Sequence, residues 1–251
     1  MTSEDLNRDI YNDPSVADHY GKVTGLQPCE ELAFAGHVRQ GDAVLDLGVG
    51  GGRTTPHLAS NASRYVGADY AIAMVEVCRV KFPSLEFRCE DASDLSCFGN
   101  ETFDAVVFSF NGIDYIRTDK ARARCLLEVK RVLKSGGRFI FSSHNAKAIG
   151  VWPVYASAGP VQVIWRTLRA AGLTVMQATR VAGCAAFRNG VGYIVDPVHG
   201  EGLATLVSSP ESFARETSEA GFELVEIING LYPLRVTKYF TPWYYYVLRK
   251  P

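Results

Sequence analysis

The stretch Val44-Leu45-Asp46-Leu47-Gly48-Val49-Gly50-Gly51-Gly52-Arg53-Thr54-Thr55-Pro56 decides the fold of this chain. Its apolar run, residues 44–47, predicts a buried strand. The glycines that follow predict a turn in which the backbone can adopt positive φ and approach a ligand closely. The two threonines and the proline then predict the start of a helix, whose first N–H groups lack partners. A strand, a glycine turn and a helix in this order predict a site for a small polar ligand at the edge of a sheet.

Two classes of ligand compete for this turn. A dinucleotide site favours the pattern G-x-G-x-x-G, but Arg53 stands at the third glycine position. Asp46, two residues before the first glycine, would repel a pyrophosphate and suit an ammonium group. The pattern of residues 44–52 resembles the first motif of class I S-adenosylmethionine-dependent methyltransferases. An ordinary glycine loop of an α/β protein is the plainer alternative.

A second predicted strand ends in a carboxylate. Residues 65–69 are apolar up to Asp69, which lies about 20 residues after Gly48. At that distance an acid can accept hydrogen bonds from both hydroxyls of a ribose. Asp69 also precedes a helical run that begins near Ala71, so capping of that helix is a second role that can coexist with the first. Met74 is a candidate for packing near the adenosine, with core filling as the equal alternative.

Two further strands continue the series. The predicted strand 85–89 leads to Asp91 and Ala92, and in the methyltransferase resemblance an acid here accepts from the adenine amino group. The predicted strand 103–110 begins with Phe-Asp, as the fourth strand of this family does, and runs into Asn111. The resemblance implies S-adenosyl-L-methionine as cofactor and S-adenosyl-L-homocysteine as product. The residues that we assign to the cofactor site are Tyr11, Tyr20, Asp46, Gly48, Gly50, Arg53, Asp69, Tyr70, Met74, Asp91, Ala92, Phe110 and Asn111.

Strand and helix patterns alternate through most of the chain. Helical spacing is found in residues 71–82 and 119–133, Lys134–Gly137 predict a helix stop, and residues 138–143 predict a fifth strand. The last two predicted strands, 222–228 and 243–248, have no helical pattern between them and are therefore expected to be antiparallel. We predict an α/β, Rossmann-like, seven-stranded sheet of the class I methyltransferase type, with its last strand antiparallel, helices on both faces and an inserted substrate cap.

The chain is predicted to be a single methyltransferase domain, residues 1–251, with four parts. These are an N-terminal helical lid (1–40), a cofactor-binding core (41–145), a substrate-cap insertion (146–208) and a C-terminal core (209–251). In the lid, Tyr11 and Tyr20 resemble the residues that close over the methionine end of the cofactor, and an amphipathic helix docked on the core is the alternative. In the cap we predict a helix over 160–171 and two strands over 191–195 and 203–207.

The expected chemistry follows from the cofactor that the resemblance implies. A sulfonium already activates its methyl group, so the enzyme aligns a nucleophile and removes its proton. His144, directly after the fifth strand, is our candidate for the general base, and Asp114 is a candidate for orienting it. His199 and Glu201, in the predicted turn of the cap, are the alternative pair. Capping at a strand end and an ordinary loop acid are the plainer interpretations of His144 and Asp114.

Composition limits the classes of partner. The formal net charge is −1 and no basic stripe stands out, which argues against a nucleic acid. No apolar run reaches about 18 residues, so we predict no membrane span. Six cysteines are scattered without a C-x-x-C pair, which favours a reduced, cytoplasmic protein without structural zinc. We predict no metal site, and a homodimer is left open.

The segments around Asn111 and His144 resemble bacterial methyltransferases linked to sugar and polysaccharide modification. This resemblance implies O-methylation of a small molecule, with a sugar or oligosaccharide hydroxyl as acceptor. An N-methyltransferase that acts on an amine is the alternative enzyme. A protein that binds S-adenosylmethionine without transferring its methyl group is the alternative outside enzymes.

Overall fold

Seven strands form one mixed sheet in the computed structural model, which describes residues 3–116, 118–148, 160–182, 185–196 and 203–251. In chain order the strands of this sheet are β1 (Ala43–Leu47), β2 (Arg64–Asp69), β3 (Glu86–Cys89), β4 (Phe103–Phe108), β5 (Leu133–His144), β8 (Glu223–Asn229) and β9 (Trp243–Arg249). Their spatial order is β3-β2-β1-β4-β5-β9-β8, with β9 antiparallel to both of its neighbours. The predicted fold class is thereby confirmed.

Helices cover both faces of the sheet. All five residues of β1 are buried, because helices cover the sheet on both faces and the side chains of a strand point to the two faces in turn. Leu45 packs with the helix after β4, and Val44 packs with the helices that precede β1 and follow β2. The described helices are α1 (Ser3–Tyr11), α2 (Pro14–Lys22), α3 (Pro28–His37), α4 (Thr55–Ala59), α5 (Ile72–Lys81), α6 (Asp119–Val132), α7 (Pro160–Ala182), α8 (Ala185–Asn189) and α9 (Pro210–Glu219), with a 3₁₀ turn at Gly112–Tyr115.

The N-terminal segment folds as two helices. Asp13 ends the first and caps the second, because its carboxylate accepts from the N–H of Ser15 and Pro14 occupies the first turn of α2. Lys81 of α5 donates to the carbonyls of Gly21 at 2.8 Å and Gly51 at 2.6 Å. The lysine therefore fastens the end of α2 to the glycine turn after β1.

Two element boundaries differ from the sequence prediction. The helix that follows the glycine turn, α4, has only five residues, so few N–H groups are aligned toward the turn. The helix α6 ends at Val132, because Leu133 is already extended and pairs with Phe103 in the sheet. The glycine pair expected to stop the helix therefore lies inside β5, where Gly136 takes φ +76°.

The inserted segment contains a helix and a hairpin. The strands β6 (Val191–Asp196) and β7 (Leu203–Ser208) pair antiparallel as a separate two-stranded sheet, as the sequence predicts. Its helix α7 extends to Ala182, well past the predicted end at residue 171, because Gly172 does not interrupt it. An isolated bridge between Asn145 and Ser208 ties the end of β7 to the main sheet. Within the described residues, no helix is both long and apolar enough to cross a membrane.

Candidate functional site

A cavity of about 880 Å³ lies at the carboxyl ends of β1, β2 and β4. That edge is where open α/β sheets gather their ligands, and the volume is near the upper end of about 300–1,000 Å³ for small-molecule sites. Two assigned residues, Asp46 and Asp114, lie behind its wall, while His199 and Glu201 lie outside the described residues. The assigned residues that line the cavity are Tyr11, Tyr20, Gly48, Gly50, Arg53, Asp69, Tyr70, Met74, Asp91, Ala92, Phe110, Asn111 and His144.

The glycine turn is shaped by positive φ angles and by Asp69. Gly48 takes φ +59° and Gly50 takes φ +52°, in the region that side chains disfavour. The N–H of Gly50 donates to Asp69 Oδ2 at 2.9 Å, and the N–H of Ala71 donates to Oδ1 at 2.9 Å. Asp69 thus joins the turn after β1 to the start of α5 while it lines the cavity. Burial raises its pKa to about 6 despite these two bonds.

Asp46 supports the turn from behind. Its Oδ2 accepts from the Thr54 hydroxyl at 2.7 Å and from the Tyr65 hydroxyl at 2.9 Å. Burial raises the pKa of Asp46 to about 6, although both hydroxyls favour the ionised form. These hydroxyls bind Oδ2 of Asp46, and the expected contact of this carboxylate with an ammonium group stays a prediction.

Arg53 lies in the cavity wall and is tied to the buried Glu30 of α3. Its two terminal nitrogens donate to the two Glu30 oxygens at 2.6 and 2.5 Å, in a bidentate pair. The Tyr245 hydroxyl donates to the same carboxylate at 2.5 Å. The Arg53 guanidinium also lies 5.0 Å from the centre of the Phe110 ring. Arg53 therefore joins α3, the glycine turn and the end of β4 around the cavity.

The two N-terminal helices close one side of the cavity with aromatic rings. The Tyr11 ring lies 6.0 Å from that of Tyr20, 6.2 Å from that of Tyr70 and 6.0 Å from that of Tyr115. Burial raises the pKa of Tyr11 far above its ordinary value, so the phenol stays neutral. Four rings from three parts of the chain thus form a continuous aromatic wall.

Asp91 lies on the opposite side of this wall, next to Arg8. Its Oδ1 accepts from the N–H of Ser93 at 2.8 Å, and its Oδ2 lies 3.8 Å from the Arg8 guanidinium. The Arg8 guanidinium also stands over the Tyr70 ring at 5.6 Å. Both partners of the Arg8–Asp91 pair are about half exposed, so solvent screens their attraction.

His144 is oriented by a fully buried carboxylate. Its Nδ1 lies 2.8 Å from Asp114 Oδ2, and its backbone N–H donates to the same oxygen at 2.7 Å. The Ser143 hydroxyl donates to Asp114 Oδ1 at 2.6 Å. Burial raises the pKa of Asp114, while the bonds to His144 and Ser143 favour its ionised form. Since an ionised carboxylate only accepts, we assign the imidazole proton to Nδ1, which leaves the lone pair on Nε2 to accept from Asn111 Nδ2.

The chain beside His144 is strained. Phe110 and Asn111 take φ +56° and +61°, which costs on the order of 1–3 kcal/mol for each non-glycine residue. The N–H of Asn111 donates to the Ser142 hydroxyl at 2.7 Å, and its Nδ2 lies 3.2 Å from His144 Nε2. These bonds to β5 hold the strained segment against the imidazole.

Several polar atoms in the cavity wall need a partner that the described residues do not supply. They include the Tyr70 hydroxyl, Asn7 Oδ1 and Asn111 Oδ1, which are all buried. Such atoms are costly unless a ligand or water bonds them. A ligand with hydroxyl, amino and carboxylate groups fits this wall, and S-adenosylmethionine carries all three. In the described part of the chain, no three His, Cys, Asp or Glu side chains are grouped so that they could hold a metal ion.

Comparison with known families agrees with this geometry. Residues 44–137 match the model of a family described as a methyltransferase domain. This segment, which is 94 of the 251 residues, is similar to that family. The demethylmenaquinone methyltransferase of Clavibacter sepedonicus is 37% identical over 112 residues, which make up 43% of this chain and 44% of that relative. The chain therefore matches less than half of the relative's length. The relative is not named for a sugar, so the saccharide acceptor gains no support from it.

Solved structures extend the likeness over nearly the whole chain. The CcbJ methyltransferase of Streptomyces caelestis superposes with a TM-score of 0.61 at 17% identity, covering 94% of this chain and 96% of its own. A 1,6-didemethyltoxoflavin-N1-methyltransferase of Burkholderia thailandensis, solved with 1,6-didemethyltoxoflavin and S-adenosylhomocysteine bound, gives a TM-score of 0.53 at 16% identity. The superposition covers 99% of this chain and 84% of that one. The fold is that of class I S-adenosylmethionine-dependent methyltransferases, as the sequence predicts, and the second of these neighbours binds S-adenosylhomocysteine.

Several residues of the cavity wall escaped the sequence interpretation. Tyr115 follows Asp114 by one residue and could have been found from its place after β4. Asn7 and Arg8 lie before the tyrosine pattern of the lid, where no motif marks them. Glu30 does not line the cavity but holds Arg53 in its wall, and the sequence did not reveal this pair because Arg53 and Tyr245 are far from Glu30 along the chain.

Proposed function

We propose that this protein transfers a methyl group from S-adenosylmethionine to a small acceptor that carries an ionisable hydroxyl, with His144 as the general base. The observation that carries the proposal is the arrangement of His144 and Asp114. Asp114 binds Nδ1 and the backbone N–H of His144, so the imidazole is fixed with its lone pair on Nε2, where a bound hydroxyl would take the place of Asn111 Nδ2. A neutral imidazole held in this tautomer can take a proton from a bound hydroxyl.

The protein's own groups have separate tasks in this scheme. When bound, S-adenosylmethionine supplies a methyl group that its sulfonium already activates. Asp69, with its two backbone donors, accepts from the sugar hydroxyls, and Asp91 and Ala92 lie where the adenine is expected. The aromatic wall around Tyr11 excludes water from the transfer path. His144 takes the acceptor's proton, and Asp114 stabilises the imidazolium that results.

An aromatic hydroxyl is the acceptor class that the cavity favours. Phe110, Tyr115 and Trp243 line the cavity near the 3₁₀ turn and His144, and their rings pack well against a flat ring. A phenolic hydroxyl is also far more acidic than a sugar hydroxyl, so an imidazole is a suitable base for it. The sugar hydroxyl implied by the earlier resemblance is therefore our less favoured acceptor.

Methylation of a ring carbon is a second candidate, favoured by the name of the curated relative. Demethylmenaquinone is a quinone, and its reduced form carries hydroxyls on an aromatic ring. Removal of a hydroxyl proton by His144 would push electron density onto the ring carbons, so that one of them attacks the methyl group. That carbon then loses its own proton while the ring oxygen regains one, which restores the aromatic ring. The same histidine therefore serves transfer to oxygen and transfer to carbon.

A panel of acceptors tests the proposal. The full-length protein is incubated with radiolabelled S-adenosylmethionine and a naphthohydroquinone, a simple phenol, a disaccharide or a primary amine. Label in the naphthohydroquinone or the phenol is expected, and mass spectrometry of the product then separates oxygen from carbon methylation. Transfer to the amine alone, or to the disaccharide alone, would overturn the aromatic assignment. Calorimetry that shows cofactor binding without transfer to any acceptor would favour a binding protein without activity.

A further inference from the structure

The helix α7 turns an apolar face to solvent. Val161, Ile164, Trp165, Leu168 and Val175 are 66, 60, 70, 61 and 64% exposed. Their spacing of three, four and seven residues places them on one side of an α-helix. Surface helices of globular proteins normally show the reverse arrangement, with the apolar side buried.

The opposite side of α7 contacts the rest of the protein. Ala170 is 7% exposed and Val163 is partly buried, and both lie about half a turn away from the exposed apolar residues. The helix is therefore packed by a narrow strip of small side chains. Its larger apolar residues, including the indole of Trp165, remain available to another surface.

The inserted segment carries an excess of positive charge. Residues 146–208 contain five basic residues, which are Lys147, Arg166, Arg169, Arg180 and Arg188, and the acids in this segment are Asp196 and Glu201. The helix α7 itself contains no aspartate or glutamate. The net charge of −1 conceals this local excess because most of the acids lie elsewhere in the chain. Arg169 is exposed and lies next to Trp165 along one edge of the apolar face of α7, whereas Arg166 lies nearer to Ala170 on the other side of the helix.

This combination fits an anionic lipid surface better than a protein copy or a nucleic acid. Two copies of α7 packed antiparallel through these faces would bring their arginine flanks together, with no carboxylate in either helix to compensate. A nucleic acid would match the arginines but leave the apolar face exposed. A bilayer interface accepts apolar side chains, a tryptophan and flanking arginines together.

We propose that α7 lies in the interface of an anionic membrane, with Ile164, Trp165 and Leu168 inserted between the lipids and the arginine flank against the headgroups. The helix follows β5, which carries His144, and β7 is bridged to Asn145 at the same edge of the sheet. Membrane contact through α7 would therefore place the insertion and the cavity edge near the bilayer. The proposal does not depend on which acceptor is methylated.

Vesicle flotation of the full-length protein tests the proposal. Vesicles of phosphatidylcholine are compared with vesicles that also contain phosphatidylglycerol. We expect flotation with the anionic vesicles, weaker flotation with the neutral ones, and loss of at least about tenfold in vesicle affinity for Leu168→Glu. Val80→Glu is the matched control, because Val80 is 83% exposed on α5 and lies outside the basic segment. This control is expected to float like the unmodified protein.

Three results would overturn the proposal. One is failure to float with either kind of vesicle. Another is equal loss of flotation in Leu168→Glu and Val80→Glu, which would indicate a non-specific charge effect. The third is a dimer, seen by sedimentation velocity without lipid, that Leu168→Glu dissociates while vesicles have no effect on the unmodified protein. Circular dichroism of both variants establishes that each keeps the helical content of the unmodified chain.

Discussion

The glycine turn with Asp69 and the His144 segment form two sides of one cavity, and they are built by different means. On the Asp69 side, backbone N–H groups hold the carboxylate, and the partners come from neighbouring turns of the same motif. On the His144 side, side chains hold one another across β5, the 3₁₀ turn and a strained pair of residues. The first side depends on backbone geometry, and the second depends on tertiary packing. Mutations on the Asp69 side should therefore affect cofactor binding, and mutations on the His144 side should affect turnover.

The largest expected effect is on the histidine side. His144→Ala should lower kcat for an aromatic hydroxyl acceptor by about 10²–10⁴-fold, the usual contribution of a general base. Affinity for S-adenosylhomocysteine, measured by calorimetry, should stay within about twofold, because Asp69 and the glycine turn are untouched. His57→Ala is the control, since His57 is exposed on α4 away from the cavity wall. Unchanged turnover in His144→Ala would remove the histidine from the mechanism.

The carboxylate on the other side should show the reverse pattern. Asp69→Asn should weaken S-adenosylhomocysteine binding by about 10–100-fold, the range expected for lost hydrogen bonds to a charged group of about 1.5–3 kcal/mol. At saturating cofactor, kcat should fall far less than in His144→Ala. Asp94→Asn, in an exposed loop acid, serves as control. An unaltered cofactor affinity in Asp69→Asn would separate this carboxylate from the ribose site.

A methyl group added at Gly51 tests whether α2 must pack against the glycine turn. A Cβ at Gly51 would overlap the backbone carbonyl group of Tyr20 in α2. Gly51→Ala should therefore cost about 1–3 kcal/mol of stability and raise the KM for S-adenosylmethionine. Gly36→Ala is the matched control, because nothing lies within 4 Å of its Cβ and alanine favours the helix α3 by about 0.5–1 kcal/mol. Equal thermal stability of the two variants would show that α2 is not held against the turn.

The smallest effect concerns pH and again distinguishes the two sides. Since the pKa of Asp69 is about 6, its carboxylate is protonated below that pH and loses acceptor capacity. Affinity for S-adenosylhomocysteine should fall as the pH drops through about 6, by up to about tenfold per pH unit, and should be flat above it. Asp69→Asn should abolish this dependence. Asp46→Asn should retain it, although Asp46 also has a pKa of about 6, because Asp46 does not line the cavity.

The effect of pH on folding stability should have the opposite sign to its effect on cofactor affinity. The folded-state pKa of Asp69 is above its ordinary value of 3.8, so the folded protein binds more protons than the unfolded chain between about pH 4 and 6. The contribution of Asp69 to stability therefore increases as the pH falls through that window. Urea titration of the unmodified protein and of Asp69→Asn, at pH 7 and pH 5, measures the difference. A larger stability gain at low pH in the variant would contradict the assigned direction.

The cofactor side was predictable because its signals are local. Glycines that need positive φ, and an acid at the end of each strand, mark their own places in the sequence, and Asp69 lies where this reasoning puts it. Alternation of strands and helices, and the missing helix before β9, predicted a mostly parallel sheet whose last strand is antiparallel, but they did not predict the spatial order of the strands. The hydroxyl partners of Asp46 were not predicted, since one of them, Tyr65, comes from the neighbouring strand.

The other side could be predicted only in part. The pairing of His144 with Asp114 brings two sheet-edge residues together, and the order of the strands was enough to suggest it. The left-handed Phe110 and Asn111 carry no glycine signal, because tertiary bonds to Ser142 and Tyr245 impose their conformation. Glu30 is likewise set by packing between α3, Arg53 and β9. Such contacts between distant residues leave no pattern in a single sequence.

The position of β9 has a consequence for how the protein is made. This strand lies between β5 and β8, so β8 has no backbone partner in the sheet until β9 arrives. Residues 243–249 must therefore leave the ribosome before β5 and β8 can become part of one sheet. Nascent chains stalled before that point should already protect β1, β2 and β4 from proteases, while residues 223–229 remain open to cleavage.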